Sequence, residues 1–286
     1  MRKFLPFALL AFALLPACKF GGNYRPPGEG YANATTSVTN GGYFARQTAK
    51  RIVLVNGVRS FKNQNVRVTI APDYQSATVF VNNASYNLTV DPLDPNRFYG
   101  TNSYGLIGFN TSSDVQIVYF DYDDNAAINA GYENNGNFVV GFTTDPVEVR
   151  NRVGTASYSG AATAKYYVGN FDETASGTSQ MTANFGTGSV HGTIALTDDQ
   201  PGSGLAMPDI DMSFNQSMAT NVSGNGFSGG IATAVHTTGG DTATITGGAL
   251  NGQFYGVDAA SIGGTFWNTG TFNGQQMLLQ GAFASN

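Results

Sequence analysis

Three polar residues have the types needed for a nucleophilic site. Ser228 lies within Gly226-Phe227-Ser228-Gly229-Gly230, a glycine-rich loop of the kind that presents a nucleophilic serine, and His191 and Asp209 are its candidate partners. Such a triad requires a complete fold that supplies an oxyanion hole and a substrate cleft. Ser228 and His191 are 37 positions apart, and turn glycines account for the loop equally well. We therefore interpret these residues as structural and predict no catalytic residue and no enzyme activity.

Other chemical patterns are equally weak. Residues 224–229 match G-x-G-x-x-G, but the strand–turn–helix context that dinucleotide binding needs is missing from the sequence pattern. Asp121-Tyr122-Asp123-Asp124-Asn125 begins like a calcium loop, yet Ala126 replaces the required glycine, which favours a solvated acidic turn over a weak surface cation site. His191 and His236 have no supporting motif as haem ligands. The sequence predicts no metal site and no resident cofactor.

The composition excludes several classes of protein. Charged residues make up 12% of the 286 residues, about half of the usual share of roughly 25%. A single Cys excludes a disulfide framework, and a net charge of −5 is unfavourable for nucleic-acid binding. An apolar content of 41% excludes a disordered, highly charged chain. Low charge with abundant Gly, Thr, Asn and Tyr is typical of an extracytoplasmic β-protein.

The N-terminus carries an export signal. Arg2 and Lys3 precede an apolar stretch, Phe4 to Leu15, that is shorter than the roughly 20 residues needed to span a bilayer. Leu15-Pro16-Ala17-Cys18 resembles a bacterial lipobox and places the single Cys at the cut site. We predict a lipoprotein signal peptide over residues 1–17 and a lipid, palmitate included, on Cys18; two or more acyl chains anchor a protein stably. An ordinary signal peptide with an unrelated Cys is the alternative, and Lys19 is compatible with the outer membrane.

The rest of the chain predicts two β-domains. Residues 18–42 are polar and rich in Gly and Pro, which predicts a flexible tether. The longest helix candidate beyond it, Tyr43 to Arg51, covers barely two turns. Short runs rich in Val, Ile, Tyr and Phe then predict strands, with turn-forming clusters between them. The strand-like runs are Ile52 to Val55, Val66 to Ile70, Ala77 to Val81, Tyr86 to Val90, Val115 to Tyr122 and Asn137 to Phe142. The turn clusters are Asn82-Asn83, residues 91–96 and Asn134-Asn135-Gly136.

The amino-acid composition and the net charge both change near residues 145–153. Beyond this point Gly, Ala, Thr and Ser dominate, and aromatic residues recur at the spacing of short antiparallel strands. Residues 19–152 hold 11 basic and 11 acidic side chains, whereas residues 153–286 hold one basic and eight acidic ones. We therefore place the domain boundary here, with a first β-domain over residues 43–145 and a second over residues 146–286.

The first domain contains a basic stretch in which six cations occur with no Asp or Glu between residues 31 and 72. Solvated side chains on strand faces are the simpler interpretation, and an anion or partner site is the functional one. The candidate ligand-binding residues are Arg46, Lys50, Arg51, Arg59, Lys62 and Arg67.

The C-terminal motifs carry a family resemblance. Residues 252–266 and 280–283 resemble the closing hairpin of the transferrin-binding protein B-like barrel. The first stretch begins Gly252-Gln253-Phe254-Tyr255-Gly256 and ends Gly263-Gly264-Thr265-Phe266, and the second is Gln280-Gly281-Ala282-Phe283. Gly154 to Gly160, Ala183 to Gly192 and Gly226 to Gly229 are similar to earlier strands of that barrel, in order. Val257 replaces the family's usual Pro and Ser261 its usual Glu. We expect Phe254 and Phe266 to fill the lumen and a helical turn over residues 258–262, capped by Asp258, to plug one end.

The resemblance implies an all-β chain with an N-terminal handle-like β-domain and a C-terminal eight-stranded antiparallel barrel. It also implies a non-catalytic, lipid-anchored binding protein of the outer membrane and cell surface. Proteins of the family capture ligands such as iron-carrier proteins, haem carriers or complement regulators and often deliver the cargo to an outer-membrane receptor, so a haem or iron-carrier ligand and a TonB-dependent receptor are the expected partners. Haem is thus a candidate ligand rather than a cofactor. The alternative is a structural or envelope-interaction lipoprotein without a soluble ligand.

Overall fold

A computed structural model describes most of the chain that follows the predicted tether. The described residues are 36–39, 42–55, 58–70, 75–81, 84–92, 94–100, 103–108, 115–122, 134–141, 143–169, 171–198, 209–217, 225–236 and 241–286. The predicted signal peptide, Cys18 and most of the tether lie outside these residues and stay predictions. Among the described residues, no helix combines the length and the apolar character that crossing a membrane requires.

The first part of the chain forms an antiparallel sheet that has nine strands within the described residues. They are β1 Thr36–Thr39, β2 Gly42–Val55, β3 Val58–Ile70, β4 Ser76–Val81, β5 Ala84–Asp91, β6 Asp94–Gly100, β7 Ser103–Gly108, β8 Val115–Tyr122 and β9 Asn134–Gly141. The strands are ordered β7-β6-β5-β4-β3-β2-β9-β8, with β1 paired to β2. Consecutive strands pair along most of this order, as expected of hairpins joined by short turns.

The second part forms another antiparallel sheet, preceded by helix α1, Pro146–Asn151. Its strands are β10 Thr155–Val168, β11 Phe171–Asn184, β12 Ser189–Asp198, β13 Asp209–Ser217, β14 Gly226–Gly230, β15 Ala232–His236, β16 Ala243–Tyr255, β17 Ser261–Phe272 and β18 Gln275–Ser285. A 3-10 turn, Val257–Ala259, separates β16 from β17. The strand order is β14-β16-β17-β18-β10-β11-β12-β13-β15.

This second sheet curls until its two end strands meet. The end strands β14 and β15 are separated in the chain by Ile231 alone, and they pair with β16 and with β13 respectively. One chain segment, bent at Ile231, therefore joins both ends of the sheet. Counted as a single strand, this segment completes the predicted all-β, eight-stranded antiparallel barrel.

The barrel interior is an aromatic core. Phe254 and Phe266, at 0% and 1% exposure, belong to one buried cluster that also includes Tyr158 and Phe227. The Phe254 ring lies 5.9 Å from the ring of Phe227 and 5.4 Å from that of Phe185, between centroids. Alternation along each strand directs these side chains inward. The prediction that Phe254 and Phe266 fill the lumen is confirmed.

The segment before α1 is bound to one end of the barrel. The N–H of Thr144 donates to the carbonyl of Phe254 at 2.9 Å, and the Asn225 side chain donates to the carbonyl of Thr144 at 2.7 Å. The Thr144 hydroxyl donates to the carbonyl of Gly256 at 2.8 Å. Thr144 is fully buried, so these bonds satisfy its polar groups and fix where the chain enters the barrel.

Helix α1 begins and ends for local reasons. The Asp145 carboxylate accepts from the N–H of Val147 at 2.7 Å, and Pro146 follows in the first turn, where its missing N–H carries no penalty. The helix buries Val149 in the barrel core. The short helix therefore covers one end of the lumen.

The 3-10 turn at the same end differs from its prediction. We expected a helical turn over residues 258–262 capped by Asp258; instead the turn spans Val257–Ala259, and its N-cap, Gly256, makes no side-chain capping bond. Asp258 lies within the turn with a φ of +52° and an exposed side chain. The Ala259 carbonyl accepts from the Tyr158 hydroxyl at 2.8 Å and from Arg152 at 3.0 Å, which holds the turn. The predicted cap was wrong because the turn starts before Asp258, at Val257, and the predicted length was wrong because β17 begins at Ser261.

Two local predictions in the first sheet were also wrong. The helix candidate Tyr43 to Arg51 lies within β2, which pairs with β3 along its whole length. The predicted turn Asn134-Asn135-Gly136 is the start of β9 and pairs with β8. Pairing with neighbouring strands outweighs the weak local preferences of these residues.

Candidate binding surface

The six basic residues of the predicted site lie on one hairpin, formed by β2 and β3. Arg46 lies directly opposite Arg67, and Arg51 lies opposite Lys62. Lys50 occupies the position opposite Asn63. Of the six, Arg59 is the residue whose side chain the structure describes. Their role in ligand binding stays a prediction.

Arg59 contacts the barrel. It lies opposite Leu54 near the end of the hairpin and is 8% exposed. Its guanidinium donates to the carbonyl of Gly169 and lies over the Tyr167 ring, 4.6 Å from the centroid. A cation over an aromatic face is stabilised by the ring quadrupole, more strongly where water is excluded. Arg59 therefore joins the basic hairpin of the first sheet to the β10–β11 hairpin of the second.

The side chains of Asn137 and Gln280 form a second polar contact between the two sheets. The N–H of Asn137 donates to the Gln280 side-chain oxygen at 2.7 Å, and the Gln280 side-chain nitrogen donates to the Asn137 carbonyl at 2.7 Å. The Asn137 side chain donates in turn to the Gln280 carbonyl at 3.2 Å. Both residues are fully buried. Because β2 pairs with β9 only at residues 134 and 135, the Gln280 amide takes the place of a strand partner for Asn137.

Apolar contacts surround this pair. Val115 and Val139 of the first sheet pack with Tyr255 and Ala282 of the barrel, and an added Cβ at Gly263 would lie 2.7 Å from the Val115 side chain. Gly263 thus allows β8 to approach the barrel wall closely. A separate cluster joins Ile52 and Phe61 to Tyr167 and Leu278, and the Phe61 ring meets Trp267 edge-on at 5.5 Å. The outer wall formed by β10, β17 and β18 is therefore covered by the first sheet.

Two buried hydroxyls at this interface lack a hydrogen-bond partner. They are the hydroxyls of Tyr255 and Thr143, residues that face each other in an isolated β-bridge. Burial raises the pKa of Tyr255, so its phenol stays protonated. An unpaired buried hydroxyl costs free energy, so these atoms weaken the interface that the amide pair strengthens.

The residues of the hypothetical hydrolase site are not brought together. His191 is exposed on β12 and Ser228 is exposed on β14, two strands that do not pair. Asp209 begins β13. The Gly226–Gly229 segment is a strand rather than the start of a helix, which also removes the context for dinucleotide binding. Within the described residues, no group of three or more His, Cys, Asp or Glu side chains is placed to hold a metal ion.

His191 instead lines a shallow groove of about 400 Å³ on the outer wall of β10, β11 and β12. The residues that line it with His191 are uncharged, among them Ser157, Gln180 and Thr193. This wall lies away from the one that the first sheet covers. Among the residues that line the groove, no Lys, Arg, Asp or Glu would select a charged ligand.

The residues that matter at the interface were missed in the sequence. Gln280 interrupts the apolar run from Met277 to Phe283, which has no two-residue alternation. A strand with continuous apolar character is buried on both faces. That signal predicts a covering layer over β18, and a lone Gln inside the run marks a buried polar partner.

The fold is thus a closed antiparallel barrel with a filled lumen and a second β-sheet on its outer wall. Residues 148–286 match the family described as the C-lobe and N-lobe beta barrels of Tf-binding protein B. This match confirms the resemblance that the sequence motifs predict. No curated protein matches the chain.

Solved structures similar to this chain include three transferrin-binding protein B structures. The isotype 1 protein from serogroup B Neisseria meningitidis is 13% identical, with a TM-score of 0.43 over 78% of this chain and 49% of its own. A tryptophan-to-alanine variant of the vaccine antigen from Haemophilus parasuis Hp5 is 12% identical, with a TM-score of 0.42 over 86% and 76%. Intact Ap-TbpB, with its N and C lobes, is 12% identical, with a TM-score of 0.38 over 78% and 67%. The chain spans about half the length of the first of these.

Proposed function

We propose that this chain is a lipid-anchored binding protein of the outer membrane that captures a protein ligand at the cell surface and performs no catalysis. The observation that carries the proposal is the family match of residues 148–286, whose name refers to transferrin binding. An iron-carrier protein of the transferrin type is accordingly the first ligand to test, with haem as the second. A TonB-dependent receptor is the proposed partner that receives the cargo.

The filled lumen supports capture of a macromolecule rather than a small molecule. Phe254, Phe266 and Phe283, each at most 1% exposed, occupy the interior that an open barrel would offer to a small ligand. The first sheet covers a second part of the barrel surface. The surfaces left for binding are therefore the ends of the barrel, its uncovered wall and the outer side of the first sheet.

Lipid anchoring is tested on whole cells. Cells expressing the full chain are labelled with radioactive palmitate, and the label is expected in the wild type and not in Cys18→Ala. Protease added to intact cells is expected to degrade the wild-type protein. Label that persists in Cys18→Ala would contradict the anchor, and full protection from protease would contradict the surface location.

Capture is tested with the soluble fragment 22–286, which keeps every described residue. Isothermal titration with purified iron-loaded transferrin and with haem is expected to give saturable binding of the protein ligand. A fragment that binds neither, from a chain that is lipidated and surface-exposed, would favour the structural lipoprotein instead. The two experiments therefore separate the anchor from the ligand.

A further inference from the structure

The turn between β17 and β18 consists of an asparagine and a glycine. Phe272 pairs with Gln275, so Asn273 and Gly274 are the two residues of the turn. Their φ angles of +50° and +75° are those of a type I′ turn, in which both central residues are left-handed. Asn273 is exposed. Because glycine lacks a side chain, the backbone nitrogen of Gly274 is less hindered than that of any other residue type.

Both ends of the Asn273 amide are bound by the residues that precede β16. The N–H of Thr242 donates to the Asn273 side-chain oxygen at 2.9 Å, and the Asn273 side-chain nitrogen donates to the Asp241 carboxylate at 2.8 Å. The N–H of Asn273 donates in turn to the Thr242 carbonyl at 2.8 Å. These three bonds hold the amide in one orientation and join the start of β16 to the β17–β18 turn.

We propose that Asn273 is a modification site, at which the side-chain amide is lost by spontaneous deamidation. The Gly274 nitrogen attacks Cγ of Asn273 and forms a new C–N bond, and the side-chain nitrogen leaves as ammonia with the proton that Gly274 gives up. The product is a five-membered succinimide ring. One water then opens the ring. Cleavage of the bond to Cγ leaves aspartate at position 273, and cleavage of the bond to the main-chain carbonyl carbon leaves isoaspartate.

The hydrogen bond from Thr242 favours this reaction. When the Gly274 nitrogen attacks Cγ, negative charge develops on the side-chain oxygen of Asn273. A fixed backbone donor about 2.7–3.1 Å from such an oxygen stabilises the charge, as in an oxyanion hole. The N–H of Thr242 already lies 2.9 Å from this oxygen, so the fold supplies the donor before the reaction begins.

Two other Asn–Gly pairs whose asparagine side chains the structure describes are held differently. Asn251 is exposed as well, but Gly252 lies within β16 and is paired on both sides, with β14 and with β17. Asn225 is 8% exposed, and its side chain donates to the carbonyl of Thr144 at 2.7 Å. Strand pairing restrains the Gly252 nitrogen, and burial shields the Asn225 amide. The fold therefore selects Asn273 among these three pairs.

Deamidation changes the contacts of the turn. Aspartate at position 273 would place a second carboxylate beside that of Asp241, where the amide had donated a hydrogen bond, and like charges at this distance repel. Isoaspartate also lengthens the backbone of a two-residue turn that fixes the register of its hairpin. The carbonyl of Gln276, on the same hairpin, accepts from the N–H of Gly169 at 2.9 Å, and the carbonyl of Gly169 accepts from Arg59 of the first sheet. The modification therefore acts at the end of the barrel that contacts the first sheet.

The site is tested by peptide mapping with mass spectrometry after the soluble fragment 22–286 has been incubated in mildly alkaline buffer. In the folded fragment we expect Asn273 to deamidate at least tenfold faster than Asn251 and Asn225. In concentrated urea the three sites should react at similar rates, because each is then an Asn–Gly pair in a flexible chain. This measurement needs no variant, so it does not depend on the folding of a mutant.

The effect on the turn is tested by hydrogen exchange. Asn273→Asp is expected to speed exchange of the N–H at position 273 several-fold, because repulsion from Asp241 weakens its bond to Thr242. Adding Asp241→Asn should restore slow exchange, because the new amide can donate to the new carboxylate. Asn251→Asp is the matched control and should leave exchange at position 273 unchanged.

Two results would overturn the modification site. The first is a rate at Asn273 in the folded fragment that is no greater than the rate at Asn251. The second is a rate at Asn273 that rises when the fragment unfolds, because the turn would then protect the amide. Unchanged exchange in Asn273→Asp would overturn the effect on the turn. None of these measurements uses transferrin, haem or palmitate, so the site and the proposed function are tested separately.

Discussion

The Gln280 amide makes a fully buried polar contact between the two sheets. Its oxygen and nitrogen bond to the N–H and C=O of Asn137, each at 2.7 Å, in a fully buried site. Gln280→Ala would leave both backbone groups of Asn137 buried without a partner. Each such group costs about 1–3 kcal/mol, so we expect the variant to lose about 2–6 kcal/mol of unfolding free energy. A loss of this size is a large fraction of the ~5–15 kcal/mol that stabilises a typical domain.

The chain provides its own reporter for this experiment. Trp267 is the single Trp, and its ring meets Phe61 of the first sheet at 5.5 Å. Urea unfolding of the fragment 22–286, followed by Trp267 fluorescence, therefore reports on the interface itself. We expect Gln280→Ala to shift the fluorescence transition to lower urea concentration than a transition followed by far-ultraviolet circular dichroism.

Gln276→Ala is the matched control, because Gln276 lies on the same strand and is exposed. Exposed substitutions of this kind change stability by about 0.5 kcal/mol or less. If the two variants unfold at the same urea concentration with the same Trp267 emission, the amide pair does not hold the sheets together. Asn137→Ala, alone and combined with Gln280→Ala, then measures the coupling between the two residues directly.

Two further predictions concern single side chains at the end of the barrel that binds the segment before α1. Tyr255→Phe should raise the unfolding free energy by about 1 kcal/mol, because it removes a fully buried hydroxyl without a partner; a lower urea midpoint would show that the hydroxyl is bonded. Burial, with added repulsion from Asp258 and Asp145, raises the pKa of Glu148 above 4.5, so the folded state holds this proton more tightly than the unfolded chain. The free energy of unfolding that Glu148 contributes is therefore lost as the pH rises from 4.5 through the folded pKa. The urea midpoint of Glu148→Gln should exceed that of the wild type at pH 7 but not at pH 4.

The sequence predicts the barrel better than it predicts the interface between the two sheets. The motif around Phe254 and Phe266 predicts that both rings face the core. This could be predicted because the alternation of inward and outward residues, and the glycines beside them, lie within one hairpin. Arg59 could not be assigned from the sequence, because its partner, the Gly169 carbonyl, lies 110 positions away and carries no side-chain signal. The pair of Asn137 and Gln280 could not be assigned for the same reason, because the two residues are 143 positions apart. Turn propensity misassigned Asn134 to Gly136, where pairing with two strands decides the conformation.

The two walls of the barrel explain where a partner has access. On β18 the outward residues Leu278, Gln280 and Ala282 are buried under the first sheet, so that strand is apolar on both faces. On the opposite wall the outward residues are small and polar, as Ser157 and Thr193 are, and alternate with the inward core. Small hydroxyl side chains supply little apolar area to bury, so that wall contributes little binding energy.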